Sequence, residues 1–575
     1  MSARFLDRGA VLTMCALLAL LVGGCQREDK VITFNKHIAT IVLNNCASCH
    51  RPGQAGPFPL LTYEDAKKRA SQIVEVTTSR YMPPWLPEHG VVKFQGDRSL
   101  TDEQIRLIQR WAEQGSLEGD PSGRPNMPKW AEGWQLGKPD LVVTMPEPFE
   151  VPANGSDVYR NFVIPVPVTG NRYVRAIEFK PGSKSVHHAI IRIDRTGQSR
   201  RMDQKDPEAG FPGMHAPTGA QSPDGFFLSW QPGRVPNPEI PGLSWTLERN
   251  SDLVVQVHMQ PVGKPESVQC SVAFYFADKP TALLPMKIGL RSFNIDIPAG
   301  EPNYIVEQSY VLPAAVELLA ILPHAHYLGH EMKATATLPD GTEKPLLSIK
   351  RWDFNWQGEF RYEQPLKLPK GTRIAMRYTY DNSTNNVRNP NHPPQRVGYG
   401  IQSSDEMAEF WLQVLMANTA DQQALAGELQ KVVSAESIQY NQYVLRLNPT
   451  DARAHSEMGK ALLMIGRRQE AQTWLFRAAE LDPTMDDPHY YLGLLFRTEQ
   501  KLESARRAFE MAIRLNGENA KAHGNLGLVL IQIGDPLRAK QHLEIALRLN
   551  PEDEIARQTL KELNQALTQA PASVQ

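Results

Sequence analysis

The chain has 575 residues, and its 62 Lys+Arg are balanced by 63 Asp+Glu. That length is more than one hydrophobic core serves and predicts about three or four domains. A net charge of −1 leaves no broad basic face to follow phosphates, which sets nucleic acid aside as a partner.

Arg4 and Arg8 precede an apolar run, Ala10 to Gly24, that ends at Cys25. This is export-signal anatomy, too short for a comfortable membrane-spanning helix. The ending LVGGC resembles a bacterial lipobox, which implies that residues 1–25 act as a signal and that Cys25 is diacylated as the mature N-terminus. A cleaved non-lipid signal is the alternative. By resemblance to lipoprotein sorting, Gln26 in place of Asp points to the periplasmic face of the outer membrane. With Cys15 and Cys25 set aside, only Cys46, Cys49 and Cys270 remain, so no network of disulfides is expected.

In residues 31–118 the run NNCASCH carries CxxCH, the attachment signature of c-type haem. Cys46 and Cys49 would bond the porphyrin and His50 would take an axial position on the iron. A redox dithiol or half a zinc site are the alternatives; neither has the surroundings it needs here. The spacing predicts a short helix running into the motif and another over Ser99 to Gly115, an arrangement similar to small cytochromes c. Met82, before Pro83 and Pro84, is the expected sixth ligand, which would raise the haem potential; His89 competes for the role.

Residues 119–138 are rich in Gly, Pro and polar side chains and read as a linker. The following segments are short, partly alternating and turn-bounded, which predicts β-sandwich architecture. Histidines gather in SVHHAIIRI (His187, His188), VVQVHMQP (His258) and LPHAHYLGH (His324, His326), and SSDEM carries Met407. Residues i and i+2 of a strand share a face, so His324 and His326 can address one ion. His187 and His188 can do so only at a strand end or a bulge. Imidazole with a thioether favours copper over catalytic zinc, and no HExxH is present.

VHHAI, QVHMQP, PHAHYLG and SSDEM, in that order, resemble the copper type II, ascorbate-dependent monooxygenases, the family of peptidylglycine alpha-hydroxylating monooxygenase and dopamine beta-hydroxylase. The resemblance implies two jelly-roll-like sandwiches, residues 139–282 and 283–418, with one copper ion on each, facing across a solvent-filled cleft. It implies His187, His188 and His258 at an electron-transfer copper, supported by Gln256. His324, His326 and Met407 would hold the oxygen-binding copper. The implied reaction inserts one atom of dioxygen into an activated C–H bond of an organic substrate and releases the other as water, consuming two electrons. The disulfides usual in such proteins are missing. An upstream donor would feed the haem, and the haem the copper pair. A non-catalytic haem and copper electron-transfer scaffold, and a metal-dependent hydrolase, are the rival readings.

Residues 419–435 read as a second linker. Beyond them Leu447, Leu481, Leu515 and Leu549 recur at a fixed step, as do Gly459, Gly493 and Gly527. This is the tetratricopeptide period, which predicts an all-α solenoid over residues 436–568, closed by a capping helix and offering a concave surface to a protein partner. His455, His489 and His523 repeat at the same step and read as packing residues. The whole is a multidomain chain: small all-α, two all-β, then all-α.

Overall fold

The computed structural model describes residues 31–569 apart from 55, 131–132, 214–218, 233–239, 401 and 551–552. Cys25 and the apolar run before it lie outside them. The chain forms two compact units, Met1–Trp85 with Arg98–Trp130, and Leu86–Asp97 with Ala131–Gln575.

The first unit is helical: α1 (Ala39–Asn45), α2 (Tyr63–Lys67), α3 (Ala70–Thr78) and α4 (Asp102–Glu113). Capping boxes start α2 at Thr62 and α4 at Thr101, each satisfying first-turn N–H groups that have no partner inside the helix. Helical spacing on α4 buries Ile105, Ile108 and Trp111 against Phe34 and Ile38. The chain after α4 returns across this core. Phe34 N donates to Leu117 O at 2.8 Å, and the Asn35 amide to Gly119 O at 3.1 Å. Gly119 has a positive φ of 81°, and a Cβ there would lie 2.5 Å from Thr33. Residues 119–130, expected as linker, therefore belong to this unit: the Asn35 amide on Gly119 O and the Arg124 guanidinium on Leu61 O, which composition does not reveal, hold them.

The second unit is built on two pairs of antiparallel sheets. The strands of the first pair are β1 (Leu141–Thr144), β2 (Val158–Pro165), β3 (Arg172–Lys180), β4 (Val186–Asp194), β5 (Trp245–Leu247), β6 (Asp252–Met259) and β7 (Ser271–Ala277). One sheet runs β1-β7-β3-β5; the other is centred on β2-β6-β4. Alternate residues of both, Leu253, Val255 and Val257 from β6 with Val174 and Phe274 from the facing sheet, fill one core. Period-2 alternation then turns Gln256 and His258 to the other face of β6.

The second pair has β8 (Leu284–Ser292), β9 (Tyr304–Val311), β10 (Val316–His324), β11 (Gly329–Thr337), β12 (Glu343–Ile349), β13 (Phe360–Leu368), β14 (Arg373–Tyr380) and β15 (Ala408–Met416). Its sheets run β8-β15-β10-β13 and β9-β14-β11-β12. The segment Leu86–Asp97 is tied to this pair. Phe94, buried, packs 5.0 Å from the Tyr362 ring, and Glu88 N donates to Ser348 O at 2.8 Å.

Helices complete the unit: α5 (Thr419–Leu447), then α6 (Ala452–Met464), α7 (Arg468–Leu481), α8 (Asp487–Thr498), α9 (Leu502–Leu515), α10 (Ala520–Gln532), α11 (Pro536–Leu549) and α12 (Glu554–Gln569). Residues 419–435, expected as a linker, form the first half of α5. Its later half packs on the sheets: Arg291 pairs with Glu436 at 2.5 Å, and Tyr440 lies 5.5 Å from Phe293 and 5.6 Å from Tyr399. The buried stripe of α5 is largely polar (Leu425, Ser434, Glu436, Asn441), which hides it from hydrophobic periodicity. In the array the recurring glycines let paired helices touch. A Cβ on Gly493 would stand 2.5 Å from Phe509, and one on Gly527 2.7 Å from Leu543. Among the described residues no helix is long and apolar enough to cross a membrane.

Candidate metal centres

His258 and His188 are opposite partners on β6 and β4, but the next pair is Met259 with Val186. The shift makes His187 the extra residue of a bulge, which turns two consecutive side chains to one place. Nδ1 of His188 lies 3.2 Å from Nδ1 of His187 and 3.3 Å from Nδ1 of His258. One ring nitrogen from each residue falls within 4.8 Å of the other two. Ligands about 2.0 Å from a tetrahedral centre are themselves about 3.3 Å apart, so the donor set fits a metal ion.

The surroundings fix which nitrogen faces inward. Nε2–H of His258 donates to Asp157 Oδ2 at 2.7 Å, leaving Nδ1 for the ion, and the Tyr159 ring stacks on His258 at 4.2 Å. Burial lowers the His258 pKa to about 4, partly opposed by Asp157, and holds His188 well below its ordinary value with help from the neighbouring rings. These imidazoles are neutral near pH 7, as metal ligation requires. Gln256, two residues before His258, bonds Asn161 Oδ1 and Gly213 O, each at 3.3 Å, which stiffens the strand that carries His258.

His324 ends β10 and His326 follows the strand; their rings are 5.2 Å apart and nearly perpendicular. Nδ1–H of His324 donates to Gln357 Oε1 at 2.7 Å, and Nδ1–H of His326 to Asp405 O at 3.1 Å. Both therefore present Nε2. Burial, then His324, lowers the His326 pKa to about 3. Met407 reaches the same corner through its backbone. The Glu406 carboxylate accepts from His326 N, from Leu328 N at 3.0 Å and from Met407 N at 2.8 Å, while Tyr380 OH donates to Met407 O at 2.7 Å. Glu406 is fully buried, which raises its pKa to about 8 against the pull of those N–H groups. It ties the histidine turn to the methionine. Sequence reasoning missed this role, since one glutamate in SSDEM carries no signal of burial.

In the helical unit Cys46 caps α1, and His50 N returns to Cys46 O at 2.9 Å. Both thiols are free, and burial, then Cys49, pushes the Cys46 thiol up to about 12. Nδ1–H of His50 donates to Phe58 O at 3.0 Å, which leaves Nε2 for an axial bond. A Cβ on Gly56 would stand 2.7 Å from Cys49 O and 2.9 Å from His50 Nδ1, so glycine is needed there. Two adjacent free thiols and an oriented imidazole fit a covalent haem. Met82, with its N bonded to Val76 O at 3.0 Å, lies in this unit; His89 lies in the segment of the other unit, 3.3 Å from Asp97.

Comparison with known proteins bears on the array. Residues 520–553 match the tetratricopeptide repeat family. A stretch of 133 residues is 26% identical to the type IV pilus assembly protein PilF of Pseudomonas aeruginosa; the match takes in 17% of this chain and 53% of that protein, so the chain spans about half the length of this relative. Among solved structures, MamA is 25% identical over 24% of this chain and 82% of its own, with a TM-score of 0.22. The first tetratricopeptide domain of Spaghetti, bound to an HSP90 peptide, is 23% identical over 20% of this chain and 93% of its own, with a TM-score of 0.20. The family match, with the paired helices and the sheets described above, makes the chain a multidomain protein with much β-sheet and a C-terminal tetratricopeptide region.

Proposed function

We propose that this chain is a copper-dependent monooxygenase that hydroxylates an activated C–H bond of an organic substrate with dioxygen. The observation that carries the reading is the convergence of ring nitrogens from His187, His188 and His258, with Nδ1 of His188 within 3.3 Å of Nδ1 of each of the other two. Beside them His324 and His326 present Nε2, and Met407 is pinned to the same corner. An imidazole-only set together with an imidazole and thioether set suits copper better than catalytic zinc. Bound copper would supply one-electron transfer and dioxygen activation, and a haem c on Cys46, Cys49 and His50, with Met82 as sixth ligand, would store electrons upstream.

The chain's own residues prepare these sites. Asp157 orients His258; Gln357 and the Asp405 carbonyl orient His324 and His326; Glu406 holds the Met407 backbone against the histidine turn. The overall change is R–H + O₂ + 2 e⁻ + 2 H⁺ giving R–OH + H₂O, so an electron donor is obligatory. A covalent haem in the same chain would sit at an effective concentration of about millimolar. We further read the chain as an exported lipoprotein anchored through Cys25, with the repeats docking a protein partner.

The test is oxygen uptake by the copper-loaded full chain with a chemical reductant, together with mass spectrometry of small molecules and peptides from cells carrying the intact chain or His324→Ala. The reading predicts uptake matched by a product one oxygen heavier and lost in the variant. Redox cycling without oxygen uptake would favour an electron-transfer scaffold, and anaerobic turnover a hydrolase.

A further inference from the structure

One short turn touches both histidine groups. Phe354–Trp356 forms a single 3-10 turn capped by Asp353, whose carboxylate accepts from Asn355 N at 3.0 Å and Asn355 Nδ2 at 3.1 Å and pairs with Arg388 at 2.8 Å. Arg388 also donates to Trp352 O at 2.8 Å, and Trp352 Nε1 to His326 O at 3.1 Å. The turn is thus fixed from behind. From its front Gln357 Oε1 accepts from Nδ1–H of His324 at 2.7 Å, while Asn355 lies near enough to His187 to favour its protonated form.

The Phe354 ring of the same turn is buried, 4% exposed. It lies 5.6 Å from His187, 5.5 Å from His326, 6.4 Å from His324 and 4.8 Å from Tyr327. The two groups therefore face each other across a packed ring, where the resemblance implied an open, solvent-filled cleft. Close packing makes such a contact bistable: the rings on both sides fit the seated turn together or are loosened together.

We propose that the Asp353–Gln357 turn couples the two metal sites, so that filling either one raises the affinity of the other. The inference rests on reading the two groups as copper sites. An ion that fixes His187 seats the Phe354 ring against it, and the same short turn then holds Gln357 where it orients His324. Coupling of this kind is reciprocal and is typically about 5- to 150-fold in affinity. Direct repulsion between two bound cations runs the other way, so a positive sign requires the protein to carry the coupling, and its loss in variants of the turn identifies the turn as the carrier. Phe354, Asn355 and Gln357 are positioning residues in this scheme.

The experiment measures copper(II) affinity of the His187, His188 and His258 group in the full chain, by chelator competition read through electron paramagnetic resonance. His324→Ala, which empties the second group, is expected to weaken the first by about tenfold. In a Phe354→Ala, Asn355→Ala background the same change is expected to shift it by less than about twofold, the pattern of a double-mutant cycle with the coupling removed. Gln357→Leu, at a half-buried position, should also remove the coupling and serves if the double variant does not fold. An unchanged affinity in His324→Ala, or an equal loss in both backgrounds, would overturn the proposal while leaving the sites intact. An intact chain that binds no copper would overturn the reading of the sites, and the coupling with it.

Discussion

Gly493 meets Phe509 on the very next helix, whereas His188 meets His258 70 residues further along the chain and across a bulge. The first contact recurs at each repeat, because each pair of helices solves the same packing problem with the same small residue. The second occurs once. The array therefore announces itself through periodicity, which is local and redundant, while the histidine groups depend on strand register, which no short window of sequence contains. A change in the array should accordingly spread along its helices, and a change in a histidine group should remain within the pair of histidine groups and the turn that links them.

The larger effect that sharpens this contrast is on the array. Gly493→Val places branched carbons where Phe509 already packs, and overpacking of this kind costs about 1–3 kcal/mol. Urea unfolding of the full chain should show that loss, while bound copper is unchanged. A parallel fall in copper content would break the separation between the two regions.

A smaller effect separates their responses to acid. In the array Nδ1 of His542 lies 2.9 Å from Nδ1 of His523, and burial, then His523 and Arg538, lowers the His542 pKa to about 4. The unfolded chain, with its histidines near 6.5, then binds the extra proton between pH 6.5 and pH 4. Stability contributed by this group is full above that window, falls as pH drops through it and changes no further below it. His542→Gln should flatten the fall in urea midpoint between pH 7 and pH 5. A midpoint equally pH-dependent in the variant would assign the effect elsewhere.

Much of this organisation is legible in the amino-acid sequence. The step between Gly459, Gly493 and Gly527 identifies the repeats, the residues after them form the predicted cap, and alternation foretells the strands. That His187 and His188 can share an ion only at a strand end or a bulge follows from adjacent histidines on a strand, and the register shift makes it the bulge. Other features are hidden for physical reasons. Residues 419–435 belong to a helix whose buried stripe is polar, so their composition imitates a linker. Residues 119–130 are held by the Asn35 amide on Gly119 O and by the Arg124 guanidinium on Leu61 O, single polar contacts that leave no periodic mark in the sequence. Gln357 and Glu406 act through hydrogen bonds to a distant histidine and to a methionine's backbone, and a lone amide or carboxylate in a loop does not declare its partner.

The central claim is that side chains from four separated segments assemble two copper sites. Its most direct measurement is copper bound per chain after loading and dialysis, read by elemental analysis and by the nitrogen couplings in the paramagnetic resonance spectrum. The account predicts two equivalents in the intact chain and one in His188→Ala, with the signal of the three-imidazole site lost. An intact chain without copper, or a His188→Ala chain that keeps both equivalents, would contradict it.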